Sequence, residues 1–135
     1  MINIVAIDHL VLRTTQLENM LAFYVNILGC SIERQTPEQT GLTQLRAGNA
    51  LIDIVTVGSK LGAVGGGAPT MSDNNLDHFC LQIAPQSEDD IIKYLNQHGI
   101  DTPAFTQRYG AKGYGNSLYI KDPEGNTVEL RCTLS

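Results

Sequence analysis

The chain has 135 residues, 42% of them hydrophobic and 17% charged, with a formal net charge of −5. That balance describes a single globular domain with a real hydrophobic core and excludes a disordered chain. The nine Lys and Arg are scattered, which excludes a basic face for nucleic acid or an anionic membrane surface. No apolar run approaches the ~20 residues that span a bilayer, and no signal-type segment opens the chain, so a cytoplasmic location is expected. Cys30, Cys80 and Cys132 are odd in number and lack CxxC spacing, which predicts reduced thiols and neither a disulfide framework nor a structural zinc cluster.

Residues 5–14 read as a strand with Ile7, His9, Val11 and Arg13 on one face and Leu10 and Leu12 on the other. Thr14-Thr15 offers a helix N-cap, and Leu17, Met20, Leu21, Tyr24 and Leu28 follow at the spacing of an amphipathic helix that Gly29 ends. Cys30 to Arg34, Leu42 to Arg46 and Ala50 to Val57 read as strands. Thr36-Pro37 to Gly41 forms a turn between the first two, and Gly48-Asn49 a hairpin turn between the last two. Residues 58–75 carry five Gly and read as a connector. The order then repeats. Residues 76–84 form a strand, and Ser87 caps a helix that Gly99 ends. Ile100 to Gln107 is an irregular strand, Tyr109 to Gly115 a Gly-rich loop, and Ser117 to Lys121 a strand. Asp122 to Asn126 make a turn, and Thr127 to Cys132 form the last strand.

The expected fold class is therefore α+β, built from two β-α-β-β-β repeats: repeat 1 about 1–57, linker 58–75, repeat 2 about 76–135. The second copy is longer between its motif positions, with the extra residues expected in loop 108–116.

The repeat also duplicates chemistry. Asp8-His9 opens the first copy and Asp77-His78 the second, while Gly48-Asn49 precedes Asp53 and Gly125-Asn126 precedes Glu129. Carboxylates inside apolar strands are costly to bury unpaired. Two imidazoles and two carboxylates converging on one cleft suit a divalent transition metal, so His9, Asp53, His78 and Glu129 are the candidate ligands. The third histidine, His98, falls at a helix end and is expected to face solvent.

The His9-Leu-Val-Leu-Arg13 start, Phe23-Tyr24, Leu28-Gly29 and the closing Asp122-Pro123-Glu124-Gly125-Asn126-x-Val128-Glu129-Leu130 resemble the vicinal oxygen chelate superfamily. This is the glyoxalase, bleomycin-resistance and extradiol-dioxygenase group, and the resemblance covers nearly the whole chain. It implies a glyoxalase-like open-barrel fold, a divalent metal (Ni, Co, Zn, Mn or Fe) and a small-molecule substrate. It further implies a homodimer whose metal site is built across the interface in many relatives.

Within that group the chain is most similar to lactoylglutathione lyases, which implies a lyase or isomerase acting through a metal-stabilised enediolate. Glu129 would then be ligand and proton carrier, Asp53 ligand or base, and Arg13 a contact to an anionic substrate. Ser117-Leu118-Tyr119 before the closing turn resembles fosfomycin-resistance thiol transferases, with Arg108, Lys112 and Tyr119 on the substrate. Extradiol ring cleavage on a two-His-one-carboxylate iron(II) site is a third possibility, with Tyr109 or Tyr114 as the extra acid or base. A metal-free drug-binding protein, using Arg108, Tyr109, Lys112 and Tyr114 as its recognition loop, is the alternative of another class.

Overall fold

The computed structural model describes residues 1–132. The last three residues of the second repeat lie outside the described residues. The chain divides into two compact units, residues 1–70 and residue 71 onward.

In the first unit, β1 (His9–Thr14) leads into α1 (Leu17–Leu21), which continues as a π-helical turn over Ala22–Ile27. Three strands follow, β2 (Ser31–Gln35), β3 (Leu42–Ala47) and β4 (Ala50–Thr56), and then a short helix, α2 (Lys60–Val64). The sheet order is β1-β4-β3-β2, with β1 parallel to β4 and the other pairs antiparallel. The second unit runs β5 (Phe79–Ile83), α3 (Glu88–Gln97), β6 (Thr106–Gly110), β7 (Gly113–Lys121) and β8 (Thr127–Cys132). Its sheet order, β5-β8-β7-β6, repeats the first with the same parallel and antiparallel pairs. Each unit is thus a β-α-β-β-β repeat with an open, four-stranded mixed sheet. Among the described residues no helix is long and apolar enough to cross a membrane.

One face of each sheet is packed. Leu12, Leu45, Ile52 and Ile54 are buried along with Met20, Phe23 and Tyr24 of the first helix and its π-helical turn. Leu118, Ile120, Val128 and Leu130 are buried along with Ile91 and Leu95 of α3. Each such side chain stabilises the fold by about 1.5–3 kcal/mol relative to exposure. The opposite face of each sheet carries the polar residues, as the period-two alternation requires.

Several boundaries differ from the sequence reading. β1 begins at His9, so residues 5–8 are not strand, and His78 lies just before β5. The two histidines therefore stand at strand starts, not in strand interiors. The N-cap of α1 is Gln16, and the Thr14 hydroxyl accepts from the Gln16 N–H at 2.9 Å, a local bond that turns the chain into the helix. The 58–75 connector contains α2, whose first turn is closed by the Ser59 hydroxyl accepting from Gly62 N–H at 3.1 Å. Ser87 caps α3 as expected, and Gly29 and Gly99 follow their helices at φ +83° and +76°, where a side chain would be strained.

The stretch read as a Gly-rich loop is a tight hairpin: Tyr109 pairs with Tyr114 and Gly110 with Gly113 across a turn of Ala111 and Lys112. The extra length of the second repeat lies instead in the connection ahead of β6, in the nine residues of β7 against six in β3, and in the longer β7–β8 turn.

Candidate functional site

The closing turn sets the geometry of the second unit. Asp122, buried, accepts the Glu124 and Asn126 N–H groups on Oδ1 at 2.9 Å each and the Asn126 side-chain amide on Oδ2 at 2.8 Å. This locks the reversal between β7 and β8 and fixes their register, so that Tyr119 faces Glu129 and Ser117 faces Arg131. On the other side, parallel pairing sets Cys80 beside Glu129 and Gln82 beside Arg131. Ser117, Tyr119, Glu129, Arg131, Cys80 and Gln82 therefore share the polar face of one sheet.

His78 meets that face at its edge. Its Nε2 lies 3.1 Å from Glu129 Oε1, and its Nδ1 lies 2.7 Å from Asp77 Oδ2. Because residue 77 precedes the strand, its side chain is free to turn onto its neighbour's ring. A ring that gives its Nδ1–H to a carboxylate keeps the Nε2 lone pair for the other side, where Glu129 stands. The Tyr119 ring packs edge-on against His78 with centroids 5.5 Å apart. Its hydroxyl accepts from Arg108 Nε at 3.2 Å, and the Arg108 guanidinium lies 5.8 Å from the ring centre.

Glu129 is 5% exposed. Burial opposes its charge, but the nearby donors of Ser117, Tyr119 and Cys80 and the neighbouring His78 outweigh burial and hold the carboxyl below its ordinary range. The same proximity acts in reverse on the Cys80 thiol, pushed up to about 12 by burial first and then by the Glu129 charge.

The first unit repeats part of this arrangement. His9 Nδ1 lies 2.6 Å from Asp8 Oδ1, and that hydrogen bond, aided by the Asp53 and Asp8 charges, raises the His9 pKa above 6.5 against a smaller opposing effect of burial. Asp53 is in register with Val11 on β1 and Gln44 on β3, so it shares the face of His9. It is 3% exposed. Oδ2 accepts from Gln44 Nε2 at 3.2 Å, while Oδ1 is buried with no hydrogen-bond partner among the described residues. An orphaned carboxylate oxygen is costly unless a cation or water meets it.

The structure thus brings His78 and Glu129 into contact and sets His9 and Asp53 on one face. Among the described residues, no three His, Cys, Asp or Glu side chains cluster tightly enough to hold an ion as they stand. The donor chemistry of each pair nevertheless fits a divalent metal: an imidazole fixed in one orientation and a buried carboxylate, which at Asp53 has an oxygen to spare.

The other expected contacts are distributed. Arg13 gives its Nη2 to the carbonyls of Gly62, Gly66 and Gly67 at 3.3, 2.7 and 2.9 Å, which ties the Gly-rich segment after α2 to β1. Tyr109 and Tyr114 are exposed and pack edge-on at 5.0 Å near the end of the β6–β7 hairpin, with Lys112 in its turn. Arg108 and Tyr119 stay with His78. His98 is exposed, and its Nδ1 lies 2.8 Å from the Tyr94 carbonyl. The sequence reading singled out no role for Asp8, Asp77, Ser117 or Arg131. Strand alternation already put Arg131 on the face of Glu129, and the repeated Asp-His dipeptide already flagged the two aspartates.

The model of the glyoxalase/bleomycin resistance protein/dioxygenase superfamily matches residues 6–130. The chain belongs to this superfamily. Among its relatives, this superfamily member is 32% identical over 127 residues to biphenyl-2,3-diol 1,2-dioxygenase 3 of Rhodococcus globerulus, an alignment that covers 91% of the chain and 60% of the relative. It is 28% identical over 120 residues to catechol-2,3-dioxygenase of Bacillus subtilis, covering 88% of the chain and 38% of that protein. It therefore spans about 60% or less of the length of these dioxygenases. A solved lactoylglutathione lyase from Agrobacterium tumefaciens shares the fold at a TM-score of 0.69 and 22% identity, over 96% of this chain and 95% of that one.

Proposed function

We propose that the protein is a divalent-metal enzyme of the extradiol dioxygenase type, acting on a small substrate with two adjacent oxygens. The observation that carries this reading is the His78–Glu129 contact at 3.1 Å, with the imidazole oriented by Asp77 and a Tyr–Arg pair alongside. His9 is the second imidazole of the proposed set, completing two His and one carboxylate, a combination that suits iron(II) or a similar ion.

Such an ion supplies Lewis acidity and, as iron(II), redox capacity toward oxygen. The chain's residues do the rest. Asp77 and Asp8 fix the imidazole tautomers. Glu129, held ionised by its neighbours, contributes negative charge. The Tyr119 hydroxyl accepts from Arg108 and lies beside Glu129, so its proton can be shared between that carboxylate and a substrate hydroxyl. The two diol-cleaving relatives support this reading in preference to the lyase.

The lyase remains a second reading because of one observation. Asp53 is buried with an unpartnered Oδ1, which would serve a fourth ligand in an isomerase-like set. A homodimer and a cytoplasmic location, both common in this family, complete the proposal.

The test is anaerobic reconstitution with iron(II) or manganese(II), followed by catechol and 2,3-dihydroxybiphenyl in air. Oxygen uptake matched by a coloured ring-opened product is expected. No uptake with either ion refutes the dioxygenase. Turnover of methylglyoxal–glutathione hemithioacetal with nickel, cobalt or zinc would install the lyase in its place. Protein that binds no metal at all would leave the drug-binding alternative.

A further inference from the structure

Arg131 is 5% exposed, yet among the described residues no carboxylate lies within ion-pair distance of it. Among the described residues, one of its three nitrogens is engaged: Nη2 donates to the Gly113 carbonyl at 2.8 Å and to the Arg108 carbonyl at 3.4 Å. A buried guanidinium held only by neutral carbonyls is costly, because its desolvation is not offset by an opposite charge.

The β6–β7 hairpin is shaped to admit it. A Cβ at Gly110 would stand 2.3 Å from Nη1, and one at Gly115 2.6 Å from Nη2, so both positions must be glycine for the guanidinium to lie where it does. Beside it in register is Ser117, fully buried, whose hydroxyl stands near Glu129 but among the described residues meets no acceptor in hydrogen-bond geometry. Both residues are on the sheet face of Glu129. Two residues of strand rise separate Arg131 from Glu129, about 7 Å along β8.

We propose that Arg131, with Ser117, is the anchor for a carboxylate on the substrate, and that the natural substrate is an acidic diol. The inference rests on the metal-enzyme reading above and deepens it. A divalent ion beside Glu129 would leave this face with a net positive charge once Arg131 is counted. A substrate carboxylate about one aromatic ring's width from the two chelating oxygens would offset that charge. It would also accept from the guanidinium and from the Ser117 hydroxyl, giving the first an opposite charge and the second an acceptor. Neither biphenyl-2,3-diol nor catechol, the compounds that name the two relatives, carries such a group.

The experiment uses the full chain loaded with cobalt(II) under argon, so that no turnover occurs. Cobalt uptake is first measured alone by calorimetry, and its failure would refute the metal reading before any probe is added. The loaded protein is then titrated with catechol, 2,3-dihydroxybenzoate and 3,4-dihydroxybenzoate. At least one dihydroxybenzoate should bind about tenfold or more tighter than catechol, as one charge-assisted contact would give. Arg131→Met should erase that preference and leave the affinity for catechol within about twofold, and Arg131→Lys should keep part of it. Equal affinities in the unaltered protein overturn the proposal and need no variant to do so. A preference that survives Arg131→Met also overturns it and leaves the guanidinium as a clamp on the hairpin alone.

Discussion

Removing Asp77 tests how the duplicated Asp-His dipeptide works. The Asp77 carboxylate holds His78 Nδ1 at 2.7 Å, which leaves Nε2 as the free donor facing Glu129. Partners of this kind are typically worth about 10–100-fold in metal affinity. Asp77 is 95% exposed on its side chain, so water competes for its bond and screens its charge, and the lower end of that range applies. Asp77→Ala should therefore weaken cobalt(II) binding about tenfold. Asp77→Asn keeps an acceptor oxygen and should fall between Ala and the native residue. Asp8→Ala, which removes the 2.6 Å bond to His9, should cost a similar factor. If both histidines serve the metal and the sites are independent, the double variant should lose about a hundredfold. The assay is competition against a chromophoric chelator at neutral pH, repeated at high salt. A hydrogen-bond effect at this distance should persist where a long-range charge effect would vanish. Unchanged affinity in Asp77→Ala, or a larger loss in Asp77→Asn than in Asp77→Ala, would refute the reasoning.

Other expectations follow from the same geometry. In metal-free protein, Glu129 has a depressed pKa, so its contribution to stability is full above the ordinary carboxylate value of 4.5 and is lost as the pH falls through the lower folded value. Glu129→Gln should flatten the acid limb of a denaturation series, and an unaltered limb would contradict the assignment. The His9 pKa is raised, so the Asp8–His9 pair stabilises fully below 6.5 and loses its effect as pH climbs through the folded value. An NMR titration should find the His9 midpoint above 6.5, moving down in Asp8→Asn. The Cys80 thiol, at about 12 against 9.0, should carry about a thousandfold less thiolate near pH 8. Its alkylation should be slow in metal-free protein and should quicken in Glu129→Gln, and prompt labelling of the native protein would count against this. Asp122→Ala strips acceptors from two backbone N–H groups and should cost about 2–4 kcal/mol by denaturant titration, with a loss under about 1 kcal/mol telling against the turn's role.

Much of this architecture was legible in the chain. The β-α-β-β-β order, the Ser87 cap and the glycines that end both helices all follow from periodicities and from local bonding that short stretches determine. The closing DPEGN motif identified a turn, but its consequence, the register of Tyr119 against Glu129, depends on the partner strand. The β6–β7 hairpin was hidden because Gly110, Gly113 and Gly115 read as loop, whereas two of them make room for Arg131. A buried guanidinium far along the chain supplies the reason, and no local pattern reveals it. The hydrogen bond within each Asp-His dipeptide is hidden for a related reason. Consecutive strand residues point to opposite faces, and only because residues 8 and 77 precede their strands do the aspartates reach the next ring.

The central claim, that the His-carboxylate pairs hold a divalent metal, is tested most directly by metal analysis of protein purified without chelator or affinity tag. About one divalent ion per chain is expected, falling to background in His78→Ala and in Glu129→Gln. Less than about a tenth of an ion per chain, together with no rise in melting temperature on adding iron, manganese, cobalt, nickel or zinc, would contradict it.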